Sequence, residues 1–464
     1  MKFSASILCA ALGAALCASA QPVVSDVTIQ QDVSSCMVTV EYKLSETAIV
    51  TVDFLTNGVS VGGARYNNVA GDVHKVVEVG DGESGETHRM WWRPEKSWPN
   101  MLLPRNLPVT ARVTAWATNT PPNYMVIHID KAVQNIPAAD RTTYYETADA
   151  LPFPGGVTND LCKTDYLVFR KCPAANVKFR CGKAEGECNV SEAAPPHYVT
   201  LTNDFYIGVY EMTQGQYEHF GVVHNNLGSR PSFFTAEYKM RPVENIGMDQ
   251  LRGYPTYSTN EMESVESGKR KYWPNCGHEI VQKDAPGVDV NALWRIREIT
   301  GQKFDLPTDA QWEFAARAGV GGVLPDGKGV WTDTLNRVAR YSRCEASASP
   351  EGVTATTPPS VGGTAIVGSY EPNAWGIYDM TGNVEEMCLD KFVMYNYTNY
   401  FSGCSYVDPA GPSLQRIHDD GKFRVKRGGS WKTDRHFAIV PQRLSFNSLG
   451  KSNDIGFRLC LTLP

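Results

Sequence analysis

Residues 22–117 contain a series of short segments in which apolar and polar residues alternate, separated by turns rich in Gly, Asn and Asp. The clearest are Cys36 to Leu44, Thr47 to Leu55, Val73 to Val79 and Leu107 to Ala117. A period of two residues is typical of strands that bury one face. The segments predict an all-β sandwich of the immunoglobulin or fibronectin type over residues 21–120. No catalytic constellation accompanies it, so we interpret this unit as a spacer or docking module.

Beyond about residue 166 the spacing of the apolar residues changes to that of helices. Three helices are predicted, two from the capping boxes Thr213–Gln216 and Thr308–Gln311 and one from the apolar spacing of Asn291 to Thr300. After Gly319 the chain is rich in Gly, Pro, Ser, Thr and Asn, which is typical of long loops. We therefore predict an irregular α+β domain over residues 166–464. A turn-rich linker at 121–165 carries one further strand, Tyr124 to Asp130.

The N-terminal residues 1–20 have the pattern of a secretory signal peptide. Lys2 precedes an apolar run from Ile7 to Leu16, and Ala18-Ser19-Ala20 precedes Gln21 as a small-residue cleavage site. The run is too short to cross a bilayer, and no other stretch reaches that length. We expect an exported bacterial protein, either secreted or held in the periplasm or cell envelope. A net charge of −6 gives no basic footprint for nucleic acid.

Ten cysteines remain once the signal peptide is removed. An even number of cysteines in an exported chain predicts disulfides. Cys181 with Cys188, and Cys388 with Cys404, are close enough along the chain to pair, but the connectivity stays open. The histidines are scattered and no CxxC is present, so a zinc site is not indicated.

Six segments of the second domain form a recognisable series. They are FYIGVYEMTQGQY from Phe205, RPVENIGMDQ from Arg241, LPTDAQWEFAARAG from Leu306, NAWGIYDMTGNVEEM from Asn373, RGGSW from Arg427 and GFRLC from Gly456. In this order they resemble the formylglycine-generating enzyme, or sulfatase-modifying factor, family. The resemblance implies a C-type-lectin-like scaffold with little regular secondary structure, in agreement with the capped helices and long loops.

The resemblance implies a reaction whose essential residues this chain lacks. The family's oxidase binds copper through two cysteines soon after RGGS, because soft thiolates hold Cu(I). The corresponding positions are Thr433 and Ala438, and Glu385 stands where the family usually has Trp. A related branch uses a three-histidine iron site, but His219 and His224 do not have its HxxxHxE spacing. We therefore expect copper to be absent and a non-catalytic protein. An oxidoreductase of the same superfamily, acting on a sulfatase cysteine or using another metal centre, is the alternative.

Calcium is the cofactor that the resemblance leaves possible. In the family, the segment matching DMTGNVEE supplies side-chain and backbone oxygens to a calcium ion, which prefers such ligands. Carried onto this chain, those positions are Asp379, Gly382, Val384 and Glu386. The prediction is a structural calcium ion, with a solvated acidic turn as the simpler alternative.

The segment after RGGSW is polar and without regular pattern. In C-type-lectin-like scaffolds this region lines the binding face, so the resemblance suggests a ligand surface here. The candidate residues are Ser430, Lys432, Thr433, Asp434, Arg435, His436 and Arg443. We predict a binding or interaction module for an unidentified protein or glycan. Carbohydrate binding in particular rests on fold analogy alone.

Overall fold

The computed structural model describes residues 21–32, 34–80, 85–97, 109–183, 196–222, 230–236, 238–253, 291–325, 334–342, 363–392, 406–409, 423–448 and 450–464. Within these ranges, none of the helices has the length and apolar character that crossing a bilayer requires. The signal-peptide prediction for residues 1–20 lies outside them.

The N-terminal part is built from two antiparallel sheets. Its strands are β1 (Val24–Gln31), β2 (Val38–Leu44), β3 (Ala48–Thr56), β4 (Val59–Ser60), β5 (Ala70–Gly71), β6 (Val76–Val77), β7 (Thr87–Trp92) and β8 (Val109–Trp116). One sheet has the order β1-β2-β7-β5, and in the other β3 pairs with β4, β6 and β8. The helix α1 (Pro94–Ser97) follows β7.

Apolar side chains from both sheets share one core. Along β2, alternate residues from Val38 to Leu44 are buried, as the period of two predicts. Phe54 of β3 stacks on Trp92 of β7, with ring centroids 4.4 Å apart. The strand predicted at Val73 to Val79 shortens to β6 because His74 has a left-handed φ of 57°, which interrupts extended backbone.

A five-stranded sheet forms the centre of the second part. Its order is β10 (Thr142–Tyr145), β9 (Tyr124–His128), β11 (Tyr166–Cys172), β14 (Phe205–Gly208) and β19 (Cys460–Thr462). The segment 121–165, which the sequence predicts to be a linker, therefore contributes two strands to this sheet. Main-chain bonds from β9 to β11 make it part of the domain. The predicted strand from Tyr124 is present as β9.

The remaining strands form a hairpin and a second sheet. They are β12 (Val177–Cys181), β13 (His197–Leu201), β15 (Glu385–Lys391), β16 (Phe423–Arg427), β17 (Leu444–Asn447) and β18 (Ile455–Gly456). The hairpin is β12-β13 and the sheet has the order β17-β16-β15-β18. Parallel pairing of β15 with β18 places the GNVEEM and GFRLC segments side by side.

The predicted helices are confirmed. Within the described part of the chain after residue 120, the α-helices are α2 (Ala138–Arg141), α3 (Gln214–His219), α4 (Met248–Arg252), α5 (Ala292–Thr300), α6 (Asp309–Arg317) and α7 (Thr334–Val338). Thr213 and Thr308 form the capping boxes of α3 and α6, and each side chain accepts from the third helical amide. Gly301 ends α5 with a φ of 67°, a conformation that favours glycine.

Candidate functional site

The loop after RGGSW begins with a tight turn at the end of β16. Gly428 and Gly429 have backbone φ angles of 89° and 74°, values that residues with a side chain rarely adopt. The Ser430 amide donates to Thr433 Oγ1 at 2.7 Å, and the Thr433 amide donates to Ser430 O at 3.1 Å. The backbone of the loop is thus fixed by its own side chains.

Thr433 and Ala438 both lie close to Gly429. A Cβ atom added to Gly429 would lie 2.8 Å from Ala438 Cα and 3.0 Å from Thr433 Oγ1. The Thr433 hydroxyl donates to Ser430 O at 3.0 Å. Ala438 is fully buried in an apolar cluster that includes Val338 and Ile439. The two positions carry a bonded hydroxyl and a packed methyl group, neither of which provides a thiolate for a soft metal ion.

The structure divides the predicted ligand residues into two groups. Lys432 and Arg435 are exposed, and half-buried Asp434 accepts a hydrogen bond from His436 Nδ1 at 2.6 Å, within the same short loop segment. Ser430 and Arg443, in contrast, are buried, so their prediction as surface ligand residues is wrong. We call the exposed surface around Lys432, Arg435 and His436 the loop face.

Arg443 belongs to a buried charge network that joins two of the sequence motifs, LPTDAQWEFAARAG and RGGSW. Its Nε contacts Asp309 Oδ2 at 2.5 Å, while Arg427 Nε contacts Asp309 Oδ1 at 2.5 Å. Arg427 also contacts Glu313 Oε2 at 2.7 Å, and Arg317 contacts Glu313 Oε1 at 2.7 Å. The network ties α6 to β16 and to the segment leading into β17.

The arginines determine the ionisation of these carboxyl groups. Burial alone would raise the pKa of Asp309 and of Glu313. Arg427 and Arg443 nevertheless hold the pKa of Asp309 below its usual value. Against the same effect of burial, Arg317 and Arg427 lower the pKa of Glu313 to about 2. Asp309 and Glu313 are therefore ionised and paired, which assigns them to the scaffold.

Glu386 forms a second buried ion pair, with Arg458 of the GFRLC segment. Arg458 Nη2 contacts Glu386 Oε1 at 2.6 Å, and Arg458 Nε contacts Oε2 at 2.9 Å. The Trp312 indole also donates to Glu386 Oε2 at 2.8 Å. Both charged side chains are buried. This carboxylate already has a cation and a hydrogen-bond donor.

The calcium prediction fits this geometry poorly. Asp379 accepts the Gly368 amide at 2.7 Å, while the Glu386 carboxylate is neutralised by Arg458. Among the described residues, no group of three or more His, Cys, Asp or Glu side chains is arranged to hold a metal ion. Calcium at Asp379, Gly382, Val384 and Glu386 stays a prediction, and Glu386 does not fit as its charged ligand.

Glu211 is a buried residue that sequence reasoning missed. Its carboxylate accepts the Val384 amide at 3.1 Å and the Asn383 side-chain amide at 2.6 Å, which fixes the GNVEEM turn. Burial raises the pKa of Glu211 well above its usual value, and the charges of Asp379 and Glu386 raise it further. The signal was its place in the motif FYIGVYEMT, where an acid stands among apolar residues.

The cysteines contribute to the core. The described cysteines Cys36, Cys162, Cys172, Cys181, Cys388 and Cys460 are free thiols. Burial raises the pKa of Cys181, Cys388 and Cys460 well above the usual thiol value. These thiols are therefore protonated and lack the reactivity of a thiolate. The partners suggested from spacing, Cys188 and Cys404, lie outside the described residues.

Known proteins resemble this chain over its second part. The model of the sulfatase-modifying factor enzyme 1-like domain family matches residues 172–463. The formylglycine-generating enzyme of Streptomyces coelicolor is 34% identical over 156 residues, 33% of this chain and 45% of that protein. The chaperone protein LppX of Paenibacillus barcinonensis is 26% identical over 264 residues, 56% of this chain and 81% of that protein. The chain thus spans less than half of the formylglycine-generating enzyme it matches.

Two solved structures match this chain over 64% of its length. Treponema denticola variable protein 1 has a TM-score of 0.39 at 22% identity, covering 64% of this chain and 96% of its own. PvdO from Pseudomonas aeruginosa has a TM-score of 0.43 at 19% identity, covering 64% and 94%.

Proposed function

Because the chain belongs to the sulfatase-modifying factor enzyme 1-like domain family, as its six motifs predict, we propose that it is a non-catalytic binding module built on that scaffold. The supporting observation is the pair of residues beside Gly429. The resemblance in sequence implies that Thr433 and Ala438 stand where the family's oxidase has its copper-binding cysteines, and neither side chain offers a thiolate.

The rest of the scaffold supports the same proposal. Asp309 pairs with Arg427 and Glu386 pairs with Arg458 inside the protein. These four charges therefore stabilise the scaffold and are not directed at a substrate. The loop face is different, because Lys432 and Arg435 extend from a backbone that is already fixed. Charged side chains on a fixed loop give specific contacts at a low entropic cost. A protein or glycan ligand at the loop face is therefore our proposal.

The N-terminal sheets suit a role as a spacer. We propose that they form an immunoglobulin-like or fibronectin-like sandwich that presents the second domain outside the cytoplasm. The Tyr144 amide donates to His74 O at 2.9 Å, and Arg112 of β8 lies 3.9 Å from Glu146. These contacts hold the sandwich against β10, so it would orient the loop face and leave ligand contact to the second domain.

A glycan and surface-protein array with the full mature chain tests the binding proposal. The test variant is Arg435→Ala/His436→Ala, which alters the loop face without touching the buried ion pairs. The control is Arg89→Ala/Arg93→Ala, since both arginines are exposed on the N-terminal part. We expect specific hits that are lost in the test variant and kept in the control. Hits that survive the test variant would place binding elsewhere on the molecule.

The oxidase alternative is tested on the same protein. Oxygen uptake is measured with copper, a thiol reductant and a sulfatase-like cysteine peptide. We expect no turnover above that of free copper, because the thiols of Cys181, Cys388 and Cys460 are buried and protonated. Sustained peptide oxidation that depends on the protein would refute a non-catalytic role.

A further inference from the structure

An aromatic ladder, Phe233, Phe234 and Trp431, borders the loop face. Phe234 meets Phe233 and Trp431 edge to face, with centroid distances of 5.2 Å and 5.3 Å. The Trp431 indole donates to Asn453 O at 3.0 Å, which fixes its plane. Phe233 at the end of the ladder is 66% exposed. A phenyl ring held in place and open to solvent offers its face to an apolar group or to a cation.

Behind the ladder lie three carboxyl groups, Glu244, Glu385 and Asp454, which we call the acidic cluster. The Phe234 amide donates to Glu244 Oε1 at 2.9 Å, and this hydrogen bond fixes the main chain of the ladder at Phe234. The Glu385 amide donates to Asp454 O at 2.8 Å. Glu244 forms an isolated antiparallel bridge with Gly456, two residues after Asp454. Glu244 thus connects the acidic cluster to the ladder, and main-chain contacts hold its three residues close together.

The acidic cluster has fewer cations than carboxylates. Lys426 contacts Glu385 Oε2, and Lys432 Nζ lies 3.7 Å from Asp454 Oδ2. Glu244 and Glu385 are fully buried, yet within the described residues Glu244 Oε2 and Glu385 Oε1 have no hydrogen-bond partner. Burial raises the pKa of Glu244 to about 7, and the charge of Asp454 adds to it. An additional cation near Asp454 would relieve this repulsion.

The chemistry of that cation follows from the groups already present. Both resident cations are primary ammonium groups. Lys432 is 57% exposed and its pairing distance is longer than a hydrogen bond, so it is easily displaced. Within the acidic cluster, Asp454 is the carboxylate that a ligand can reach, since its side chain is 12% exposed, and a cation is the group that pairs with it. The ring of Phe233 favours a cation as well.

We propose that the loop face, in its role as the binding face, recognises the ammonium group of a lysine side chain on a partner polypeptide. Asp454 accepts the ammonium in place of Lys432, and Phe233 lies against the lysine methylenes and charge. The inference deepens the proposed function by naming the chemical class of ligand.

Ligand-observed saturation-transfer NMR on the full mature chain tests the inference. The probe is N-acetyl-lysine methylamide, and its ε-acetylated form is the matched ligand without charge. We expect saturation transfer to the lysine probe only, and roughly ten-fold weaker binding to Asp454→Asn, as for loss of a charged hydrogen bond. Phe233→Ala should weaken binding about three-fold, whereas Tyr198→Ala, an exposed ring on the β12-β13 hairpin, should not.

The sign of one further variant is specific to the inference. Lys432→Gln removes the competing ammonium and should strengthen binding of the lysine probe several-fold. Equal transfer to the acetylated probe, or unchanged binding in both Asp454→Asn and Phe233→Ala, would overturn the ammonium assignment. If array hits still depend on Arg435 and His436, the proposed function stands without it. If neither ligand class binds, both fail. Melting curves of each variant exclude loss of folding as the cause.

Discussion

The ion pair of Glu386 with Arg458 allows the scaffold interpretation to be tested against the calcium prediction. Both side chains are buried, and the carboxylate accepts from Arg458 Nε and Nη2 and from the Trp312 indole. Removal of one partner from a buried, hydrogen-bonded pair costs about 3–5 kcal/mol, because the other charge stays desolvated. Glu386→Gln keeps the side-chain shape and one acceptor oxygen, so we expect about 3 kcal/mol.

That magnitude is a large fraction of a typical free energy of unfolding, about 5–15 kcal/mol. The assay is urea unfolding of the full mature chain, followed by tryptophan fluorescence with and without a chelator. Glu298→Gln is the matched control, since its ion pair with Arg295 is exposed to solvent and should be worth at most about 1 kcal/mol. We expect the chelator to leave the wild-type midpoint unchanged.

Two results would refute this reasoning. A Glu386→Gln midpoint within the range of Glu298→Gln would show that the pair does not stabilise the fold. A chelator that lowers the wild-type midpoint but leaves Glu386→Gln unaffected would instead identify Glu386 as a calcium ligand and would confirm the calcium prediction.

Three further predictions concern pH, backbone and thiols. Burial lowers the folded-state pKa of His74 to about 4. The free energy of unfolding should therefore fall by about 3 kcal/mol as the pH drops from 6.5 to 4. Acid titration of the wild type and of His74→Asn checks this, because the variant should not show that decrease. Gly429→Ala should destabilise by about 2–4 kcal/mol in urea unfolding, because its Cβ would overlap Ala438, whereas Gly58→Ala has open space and should cost only about 1 kcal/mol; equal costs would contradict the packing at Gly429. Alkylation of the native protein, mapped by mass spectrometry, should modify Cys36 before the buried described thiols, and rapid labelling of Cys388 would contradict its burial.

The sequence predicts what short-range chemistry determines. The helices at Gln214–His219 and Asp309–Arg317 are foreseen because a threonine and a glutamine three residues apart satisfy the first amides locally. The strand Val38–Leu44 is foreseen because alternate residues must face one core. The family follows from the order of six motifs and is confirmed by the match over residues 172–463.

The site depends on contacts that are distant along the chain, and these are not readable from a local pattern. The polar sequence around Arg443 predicts a surface residue, but its partner Asp309 lies 134 residues earlier. Glu386 was assigned to calcium, and its partner Arg458 is 72 residues away. The linker prediction failed for the same reason, since only the pairing of β9 with β11 shows that 121–165 belongs to the sheet.

The strand Cys460–Thr462 gives the chain a particular order of assembly. It closes the edge of the central sheet beside Phe205–Gly208, and the residue just before it, Leu459, accepts the Gly208 amide at 2.9 Å. A chain that lacks residues 456–464 has neither this edge nor Arg458. The central sheet is therefore completed only once these residues are available, and truncation before Gly456 should leave the second domain unfolded, not merely shortened by one strand.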